Sequence, residues 1–463
     1  METTVQRLRY VLEVLGPAVG GKKATLPILK NVVVGQGRAY ATNLETAVTV
    51  EMPEATDGPV LLPHQQVLSL LRHIPGPTRL TINREGAVIE LVAGATHGQF
   101  PVPGEVADFP PLPALQPIGE GQVDGDLFLN TATALAEYAA TEASRPVLQC
   151  VCIALGDPIE MVGADSFRLA WQTIPVALPA PDPSTEGPKH LLVPTAAVHT
   201  LARVWKLVSK TPHLSGEKQP TVDAQSAAGA SEPLKRDGSF RMAMIAVAKR
   251  MATIRFTPTT LTFHHGEVTV WVQLTQGEFP NYHQLIPTDL PHKVTFDAEA
   301  ALRAIKTLAD IAADGSGVVR LQWSIDRLVF SGQMQEVGSI TTSVPAHSQD
   351  SEGRIAFHIK YLMGYLAGKL GMVLLETSTP SSPGRFFSGG SPDVLIMPLF
   401  VSDQVAPTTE PAADQPAVGS PADEETPEAP TDGKQAPVDE GTTEEPAAAP
   451  SPPTRNKRPR RGK

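Results

Sequence analysis

The stretch GPAVGGKK, residues 16–23, comes nearest to a known chemical motif. It fits G-x-x-x-x-G-K, the loop whose backbone N–H groups cradle nucleotide phosphates. Two features oppose that interpretation. Lys23 stands where a serine or threonine should reach Mg²⁺, and the preceding VQRLRYVLEVL has helical rather than strand spacing. A P-loop nucleotide hydrolase is therefore a minor alternative to a flexible glycine loop, or to a basic loop that touches phosphate through Lys22 and Lys23.

The remaining candidates for chemistry are weaker still. Cys150 and Cys152 are the only cysteines and share one face of a predicted strand, but zinc needs four ligands and no second pair exists. Buried thiols and a reducing cytoplasm are therefore favoured. His264 and His265 precede the hairpin residue Gly266, which is typical of turn or surface histidines. With no G-x-S-x-G, H-E-x-x-H or carboxylate pair in a Gly-rich setting, the sequence predicts no catalytic residue, metal or cofactor, and so no enzyme.

Basic residues on predicted helices are the pattern left to explain. Arg72 and Arg203 end similar helical stretches in two parts of the chain, and Arg303 and Lys306 are three residues apart on another. One such residue is typical of a solvated helix face. Recurrence at the same helix position favours a shared surface that faces phosphate. Further basic residues occur on the predicted helices at either end of the folded part. The basic helix residues are together Arg7, Arg9, Arg72, Arg203, Arg303, Lys306, Lys360 and Lys369.

Charge and hydropathy exclude some classes of protein. The 463 residues carry a formal net charge of −11, which argues weakly against a protein that coats nucleic acid but leaves room for one basic surface. No apolar run approaches the ~18 residues that a membrane helix needs, and the first residues hold Glu2, Arg7 and Arg9 rather than a signal-peptide core. The sequence predicts no membrane association.

The elements that must position these residues occur as a repeat. PILKNV (27–32) and PVLQCV (146–151) share the pattern P-[IV]-L-x-x-V, and helix-like stretches with a common pattern follow: LLPHQQVLSLLR (61–72) and LVPTAAVHTLAR (192–203). Each copy ends in an acidic-Phe-Pro turn, ADFPPLP (107–113) or GEFPNYHQLIP (277–287). The repeat predicts tandem units with one fold.

A third, weaker copy completes the folded part. A helix is predicted within 296–317, a hairpin over 318–332 with Asp326 and Arg327 in its turn, a second helix over 356–371, and a closing strand VLIMPLFV (394–401). Two helices and several short strands per unit predict an α+β fold with helices on one face of antiparallel sheets. The expected domains are 1–120, 121–290 with an inserted loop at about 209–238, and 291–401.

The segment 402–463 is predicted to be a disordered tail rather than a domain. It holds 12 of the 45 prolines and lacks Phe, Tyr, Trp, Leu and Ile, so it cannot bury enough apolar surface to offset its ordering entropy. Acidic residues dominate as far as Glu445, and RNKRPRRGK (455–463) then places six basic residues in nine. A solubilising tail without specific contacts is the simpler interpretation, and a basic end that holds DNA is the alternative.

Several of these stretches, in this order, resemble the bacterial sliding clamp, the β subunit of DNA polymerase III. They are VGGKKATLPILKNVVV (19–34), ATNLE (41–45), ADFPPLP (107–113), RPVLQCVCIAL (145–155), ADSFRLA (164–170), GEFPNYHQLIP (277–287) and VLIMPLF (394–400). The resemblance covers residues 1–401. It implies three clamp-type domains per chain and a head-to-tail homodimeric ring whose helices line the hole, with no catalytic activity.

The resemblance also implies the partners. A clamp encircles double-stranded DNA without sequence specificity, is loaded by an ATP-dependent clamp loader, and tethers the replicative polymerase and repair proteins. It would be cytoplasmic and associated with the nucleoid. The DNA-facing residues implied are Lys22, Lys23, Arg72, Arg203, Arg303, Lys306 and Lys369.

A peptide-binding cleft between the second and third domains is implied as well. Its residues in this chain are Leu148, Ala164, Ser166, Phe167, Arg168, Leu169, Pro280, Leu285, Leu395, Met397, Pro398 and Leu399. Such a cleft takes a short peptide with Gln followed by Leu and Phe-type anchors. The family's usual T-D-G-H-R-L is here Ala-Asp-Ser-Phe-Arg-Leu (164–169), and the 209–238 insertion and the tail are unusual. A clamp-like paralogue with altered partner binding is therefore a second hypothesis.

Overall fold

The computed structural model describes residues 1–21, 24, 26–180, 187–210, 250–314, 317–334, 338–349 and 352–400. Lys22, Lys23, most of the 209–238 insertion and the 402–463 tail lie outside these ranges, so the predictions made for them stay predictions.

The described residues form six α-helices, two in each of the three sequence units. Four begin at a side chain that accepts a backbone hydrogen bond: Thr4 from Arg7 N (3.1 Å), Asp124 from Asp126 N (3.1 Å) and Leu127 N (3.2 Å), Asp297 from Ala300 N (2.8 Å), and His358 from Lys360 N (3.2 Å). The helices are α1 (Val5–Leu15), α2 (His64–Leu71), α3 (Gly125–Ala136), α4 (Thr195–Lys210), α5 (Ala298–Asp314) and α6 (Ile359–Leu366).

Short strands make up most of the remaining described residues. In chain order they are β1 (Glu2–Thr4), β2 (Asn31–Gly35), β3 (Arg38–Thr42), β4 (Thr46–Glu51), β5 (Val60–Pro63), β6 (Arg79–Glu85), β7 (Val88–Ala93), β8 (Thr96–Pro101), β9 (Gly119–Asp124), β10 (Cys150–Ala154), β11 (Ile159–Ala164), β12 (Arg168–Ile174), β13 (His190–Pro194), β14 (Met251–Phe256), β15 (Thr260–His265), β16 (Val268–Gln273), β17 (His292–Asp297), β18 (Val318–Ser324), β19 (Arg327–Met334), β20 (Gly338–Ser348), β21 (Glu352–His358), β22 (Met372–Thr377), β23 (Gly384–Phe387) and β24 (Asp393–Ile396).

These strands form three antiparallel sheets, two of which run across the expected domain boundaries. The orders are β1-β6-β7-β8, then β5-β2-β3-β4-β16-β15-β14-β9, and β13-β10-β11-β12-β24-β23-β22-β17-β20-β19-β18-β21. Strand β4 of the first unit pairs with β16 of the second, and β12 of the second pairs with β24 of the third. The α+β fold with antiparallel sheets is confirmed, and each junction between units is a continuous sheet.

The repeat seen in the sequence is also a structural repeat. Pro27–Lys30 and Pro146–Gln149 are both 3-10 turns that lead directly into a buried strand, β2 and β10 respectively. The two central strand pairs have the same register, with Val33 opposite Leu61 in one unit and Cys152 opposite Leu192 in the other. The repeat that the sequence pattern predicted is therefore also present in the local conformation.

Element boundaries in the third unit differ from the sequence prediction. The hairpin turn is Ile325–Asp326, because Arg327 already pairs with Pro345 as the first residue of β19. The predicted helix over 356–371 is shorter, since its first residues belong to β21 and pair with β18. Gly368, with φ of +73°, follows the end of α6 in a conformation that stops a helix.

The helices pack side by side, and the apolar core lies between them and the sheets. Contacts join α2 to α1, α1 to α4 and α4 to α3, so that the helix pairs of the first two units meet, and α5 contacts α6 within the third unit. The core is built from Val, Leu, Ile and Ala, with the large rings of Phe256, Phe296, Phe330 and Trp323 fully buried. Among the described helices, none is long and apolar enough to span a bilayer.

Candidate functional site

A tight turn between β11 and β12 positions the predicted cleft residues of the second unit. The Asp165 carboxylate accepts hydrogen bonds from Phe167 N and Arg168 N, both at 2.7 Å. A short polar side chain that bonds the backbone ahead of it is the usual way to stabilise such a turn. Asp165 N in turn donates to Arg168 O (3.0 Å), which leaves Ser166 and Phe167 exposed at the tip.

Arg168 joins this turn to helices of two units. Its Nε and Nη2 donate to Asp165 Oδ2 at 3.1 and 2.9 Å, and Nη2 also donates to Glu137 O at 3.3 Å. The guanidinium lies over the rings of Tyr138 and Tyr361, 5.2 and 4.9 Å from their centroids. Since Tyr138 follows α3 and Tyr361 belongs to α6, one planar cation links the second and third units.

Phe167 forms an aromatic wall beside this cation. Its ring stacks on Tyr361, with centroids 5.7 Å apart and planes at 24°, and half of its surface is exposed. The Phe167 carbonyl accepts a hydrogen bond from Met397 N (2.9 Å), and Leu399 N donates to Ala356 O (2.8 Å). The segment after β24 is therefore held against both the turn and β21 by backbone bonds.

An apolar cluster formed partly by the two strands that flank this turn contains four of the predicted cleft residues. Leu148, Ala164, Leu169 and Leu395 are all buried in it. Its other buried members are Cys150, Cys152, Val162, Leu192 and Tyr282, with Val147, Trp171, Phe279 and Ile286 packed at its edge. Val394 and Ile396 face the opposite way, into the main core, as alternation along a strand requires.

The other predicted cleft residues are more exposed. Met397, Pro398 and Leu399 are half-buried beside Leu395, whereas Pro280 and Leu285 are exposed and do not join the buried cluster. The structure thus brings together the second-unit residues and the end of β24, and it places the segment of Pro280 and Leu285 at the margin.

Tyr282 is a member of this cluster that the sequence analysis missed. A 3-10 turn over Tyr282–Leu285 turns its ring inward, and its hydroxyl donates to the Glu160 carboxylate. Burial, reinforced by Glu160, holds the pKa of Tyr282 well above its usual value. In the sequence, Tyr282 could be noticed only as an aromatic residue among the polar residues of PNYHQ. The direction of its side chain depends on the 3-10 turn.

The two cysteines have the structural role that the sequence indicated. Both are buried in the apolar cluster, and Cys150 Sγ lies 3.2 Å from Thr275 Oγ1. Burial raises the pKa of Cys150, and burial with the neighbouring Cys150 and Glu160 raises the pKa of Cys152 to about 12. Both are therefore neutral thiols. No three His, Cys, Asp or Glu side chains within the described ranges are placed to hold a metal ion.

The glycine loop and the two histidines also have structural explanations. Gly16–Ala18 is a 3-10 turn that directly follows α1, so a helix precedes the loop where a phosphate-binding loop requires a strand. His265, expected at a turn or on the surface, is buried against Trp205 with ring centroids 4.7 Å apart.

The predicted DNA-facing residues divide into two groups. Arg203, Arg303 and Lys306 are exposed helix residues, and Arg72 is the exposed residue directly after α2. No ion pair joins these four to another side chain in the described part of the chain. Lys369 differs, because its ammonium lies 4.6 Å from the Tyr365 ring centroid and burial lowers its pKa.

Arg7 and Arg9 of α1 are used within the fold. Arg7 forms ion pairs with Glu54 (3.1 Å) and with Glu267 of the second unit (2.6 Å). Arg9 Nη2 donates to Leu71 O (2.6 Å) and Ile74 O (2.7 Å), and so satisfies carbonyls at the end of α2.

Solved structures define the class of protein that this architecture represents. A DNA polymerase sliding clamp from Pseudomonas aeruginosa matches with a TM-score of 0.70 and 18% identity, covering 87% of this chain and 99% of that one. The DNA polymerase III β subunit of Thermotoga maritima matches with a TM-score of 0.67 and 18% identity, over 87% and 99% of the two chains. The fold is that of a bacterial sliding clamp.

Sequence comparison finds the same kind of protein. Residues 283–369 match the family model for the DNA polymerase III beta subunit, C-terminal domain. The beta sliding clamp of Caulobacter vibrioides is 23% identical over 416 residues, 86% of this chain and 96% of its own length. That of Synechococcus elongatus is 22% identical over 388 residues, 81% and 92% of the two chains. The chain is similar to beta sliding clamps over most of its length.

Proposed function

We propose that this chain is a processivity factor for the replicative DNA polymerase. Two copies close head to tail into a ring that encircles duplex DNA and slides along it without reading its sequence. The agreement that carries the proposal extends over the whole architecture, since 99% of a solved clamp from Pseudomonas aeruginosa is covered at a TM-score of 0.70. Such a protein acts by tethering, so it needs no catalytic residue.

A free sheet edge supports ring closure. Strand β8 is the outer strand of its sheet, and among the described strands only β7 pairs with it. Unpaired backbone groups on an edge strand can continue the sheet into a second chain. When each chain contacts the next through two different surfaces, the assembly closes into a ring if the rotations between successive chains add up to a full turn, here after two copies.

The exposed basic residues on the helices support loose contact with DNA. Arg72 directly follows α2, Arg203 lies on α4, and Arg303 and Lys306 lie on α5, so that each of the three units contributes. Phosphate contacts of this kind are weak, depend on salt and are independent of sequence, as a sliding ring requires. The formal charge of −11 then belongs mainly to surfaces that face away from DNA.

The cleft under Phe167 supports the recruitment of partners. We assign it to short peptides of the polymerase, the ATP-dependent clamp loader and repair proteins. A buried apolar floor with an aromatic wall gives leucine and phenylalanine anchors a preformed site, where such peptides gain most of their affinity. A clamp from Bartonella birtlesii, 20% identical, has been solved bound to griselimycin. Cytoplasmic localisation beside the nucleoid follows from this role.

Retention on circular DNA tests the ring. After loading by a clamp loader, the protein should stay on nicked circular DNA and be lost when the DNA is made linear, because topology rather than affinity holds it. Light scattering should report a dimer. A strict monomer at micromolar concentration, or equal loss of the protein from circular and linear DNA, would contradict the proposal.

The paralogue hypothesis has its own test. Ser166 and Phe167 stand where the family usually has Gly and His, so the cleft could have changed its partners. A fluorescent Q-L-x-L-F-type peptide should bind the processivity clamp. A ring that is retained on circular DNA but does not bind this peptide would favour the paralogue.

A further inference from the structure

The junction between the first and second units repeats the geometry of the cleft junction. Asn43 Oδ1 accepts from Glu45 N (3.0 Å) and Thr46 N (2.8 Å), as Asp165 accepts from Phe167 N and Arg168 N. Gln273 N donates to Glu45 O (2.8 Å), as Met397 N donates to Phe167 O. Both turns therefore receive the end of a strand from the next unit.

The strand registers extend the correspondence to individual residue pairs. Trp271 pairs with Ala47 across the first junction, and Leu395 pairs with Leu169 across the second. Behind the first junction, Val33, Leu61 and Phe109 form a buried cluster of their own, in the place that the cleft floor occupies in the second. Trp271 thus occupies the position of a predicted cleft residue.

A small cavity opens at this first junction. It measures about 90 Å³ and is lined by Leu44, Glu45, Pro110, Pro111, Trp271 and Gln273, among others. Its volume suits one aliphatic side chain. Proline walls carry no N–H group and lose no side-chain freedom when a ligand binds, so they make a rigid apolar surface.

Two features of this cavity are costly unless something uses them. Leu44 has φ of +79°, a left-handed conformation that is unusual for a bulky residue, and 53% of its surface is exposed beside the cavity. The buried indole N–H of Trp271 has no hydrogen-bond partner among the described residues. Strained backbone and unpaired donors of this kind concentrate at ligand sites.

We propose that this junction is a second docking groove, for an extended peptide that carries one leucine-sized anchor flanked by basic residues. The anchor fills the cavity between Leu44 and Pro111. The basic residues face Glu45, the charged residue among the described ones that line the cavity. The argument by correspondence rests on the proposed peptide function of the second junction, but the cavity, the strained Leu44 and the charge belong to the first.

Fluorine NMR of the full-length protein labelled with 5-fluorotryptophan can observe the two junctions separately. Trp271 lines the first and Trp171 packs at the edge of the second, and the two other tryptophans, Trp205 and Trp323, serve as internal controls. Single Trp→Phe variants assign the signals. The probes are three short peptides, GKLKG, GELEG and GKAKG, and a Q-L-x-L-F-type peptide.

The GKLKG peptide should shift the Trp271 signal saturably and leave Trp171 unmoved. GKAKG should bind roughly tenfold more weakly, because it lacks the apolar anchor. GELEG should bind about threefold more weakly, as expected for one exposed charge pair. Glu45→Lys should invert the preference between GKLKG and GELEG, which a merely structural role of Glu45 would not do, and Leu44→Asp should remove the Trp271 response.

An unmoved Trp271 signal with GKLKG, or equal binding of the three short peptides, would overturn this second groove. The Q-L-x-L-F-type peptide should shift Trp171 alone. If it shifts neither signal while GKLKG shifts Trp271, the proposed cleft fails and the second groove stands, so the two failures are distinguishable.

Discussion

Arg168 lies over the rings of Tyr138 and Tyr361 and so joins the second unit to the third. Lysine at this position would keep the positive charge but lose the forked hydrogen bonds to Asp165 and the planar stacking on two tyrosine rings. We expect Arg168→Lys to lower the free energy of unfolding by about 1–2 kcal/mol in urea denaturation. The matched control, Arg203→Lys on the exposed face of α4, should change it by less than about 0.5 kcal/mol. Equal effects at the two positions would contradict this role.

Phe167 allows a second prediction for a single residue. Phe167→Ala removes the ring that stacks on Tyr361, and we expect roughly threefold to tenfold weaker binding of a Q-L-x-L-F-type peptide in fluorescence anisotropy. Tyr361→Phe keeps both rings and should bind the peptide as the unmodified protein does. Unchanged affinity after Phe167→Ala would show that the wall takes no part in recognition.

At the scale of elements, His64 links the first two helices. Its Nε2 lies 2.8 Å from Leu12 O, and because a carbonyl can only accept, this nitrogen carries the hydrogen. Burial, with a smaller contribution from Arg72, lowers the pKa of His64 below its usual 6.5. The folded state therefore binds fewer protons than the unfolded chain, so the contribution of His64 is complete above pH 6.5 and is lost as the pH falls toward the lowered pKa.

Urea denaturation at several pH values tests this link. The difference in unfolding free energy between the unmodified protein and His64→Gln should shrink as the pH falls from neutral into the acid range. Other histidines titrate in both proteins and cancel in this difference. A difference that is constant with pH would show that His64 does not titrate as argued.

The seam between β4 and β16 carries a buried ion pair that permits a further prediction. The side chains of Arg7 and Glu267 are 15% and 14% exposed, and their closest atoms are 2.6 Å apart. Removing one partner from such a pair leaves an uncompensated charge, so Arg7→Met should cost about 3 kcal/mol. The double variant Arg7→Met, Glu267→Leu should recover part of that loss. A double variant that is less stable than Arg7→Met would contradict this explanation.

At the scale of the whole molecule, charge governs the weak direct attraction between DNA and the proposed ring, which is separate from the topology that retains a loaded ring. Replacing Arg72, Arg203, Arg303 and Lys306 by glutamine should weaken equilibrium binding to linear duplex DNA at low salt and flatten its salt dependence, by about 0.9 in the logarithmic slope for each phosphate that the protein no longer neutralises. The control replaces three basic residues that lie outside the α-helices, Arg79, Arg327 and Lys30, and should leave the slope unchanged. An equal effect of the two sets of replacements would indicate that DNA contacts other residues.

Much of the local structure could be predicted from the sequence. Helices α1, α4 and α5 have strong apolar periodicity, and the P-[IV]-L-x-x-V pattern predicted that the same local structure recurs in two units. The ends of elements were harder to predict. The strand β21 and the helix α6 share one apolar stretch, and only pairing with β18 decides that its first residues are extended. The helix or strand propensity of a few residues contributes less free energy than a ladder of backbone hydrogen bonds.

The apolar members of the proposed cleft were predictable from the sequence, whereas its organisation was not. Leu395 and Val394 lie on opposite faces of a strand, which follows from alternation alone. The inward turn of Tyr282, the position of Arg168 between two tyrosines and the exposure of Pro280 depend on neighbours far away in the sequence. No short-range pattern encodes such contacts.

The amino-acid sequence alone determined that this protein is a tandem repeat of α+β units with buried thiols and no metal-binding motif, because these properties depend on local periodicity and composition. Tertiary structure decided that the units join as continuous sheets, that Arg7 and Arg9 serve the fold while Arg72, Arg203, Arg303 and Lys306 remain exposed, and that two junctions have the same geometry. The physical reason is that strand pairing and ion pairing join residues hundreds of positions apart, where only the folded chain sets the distances.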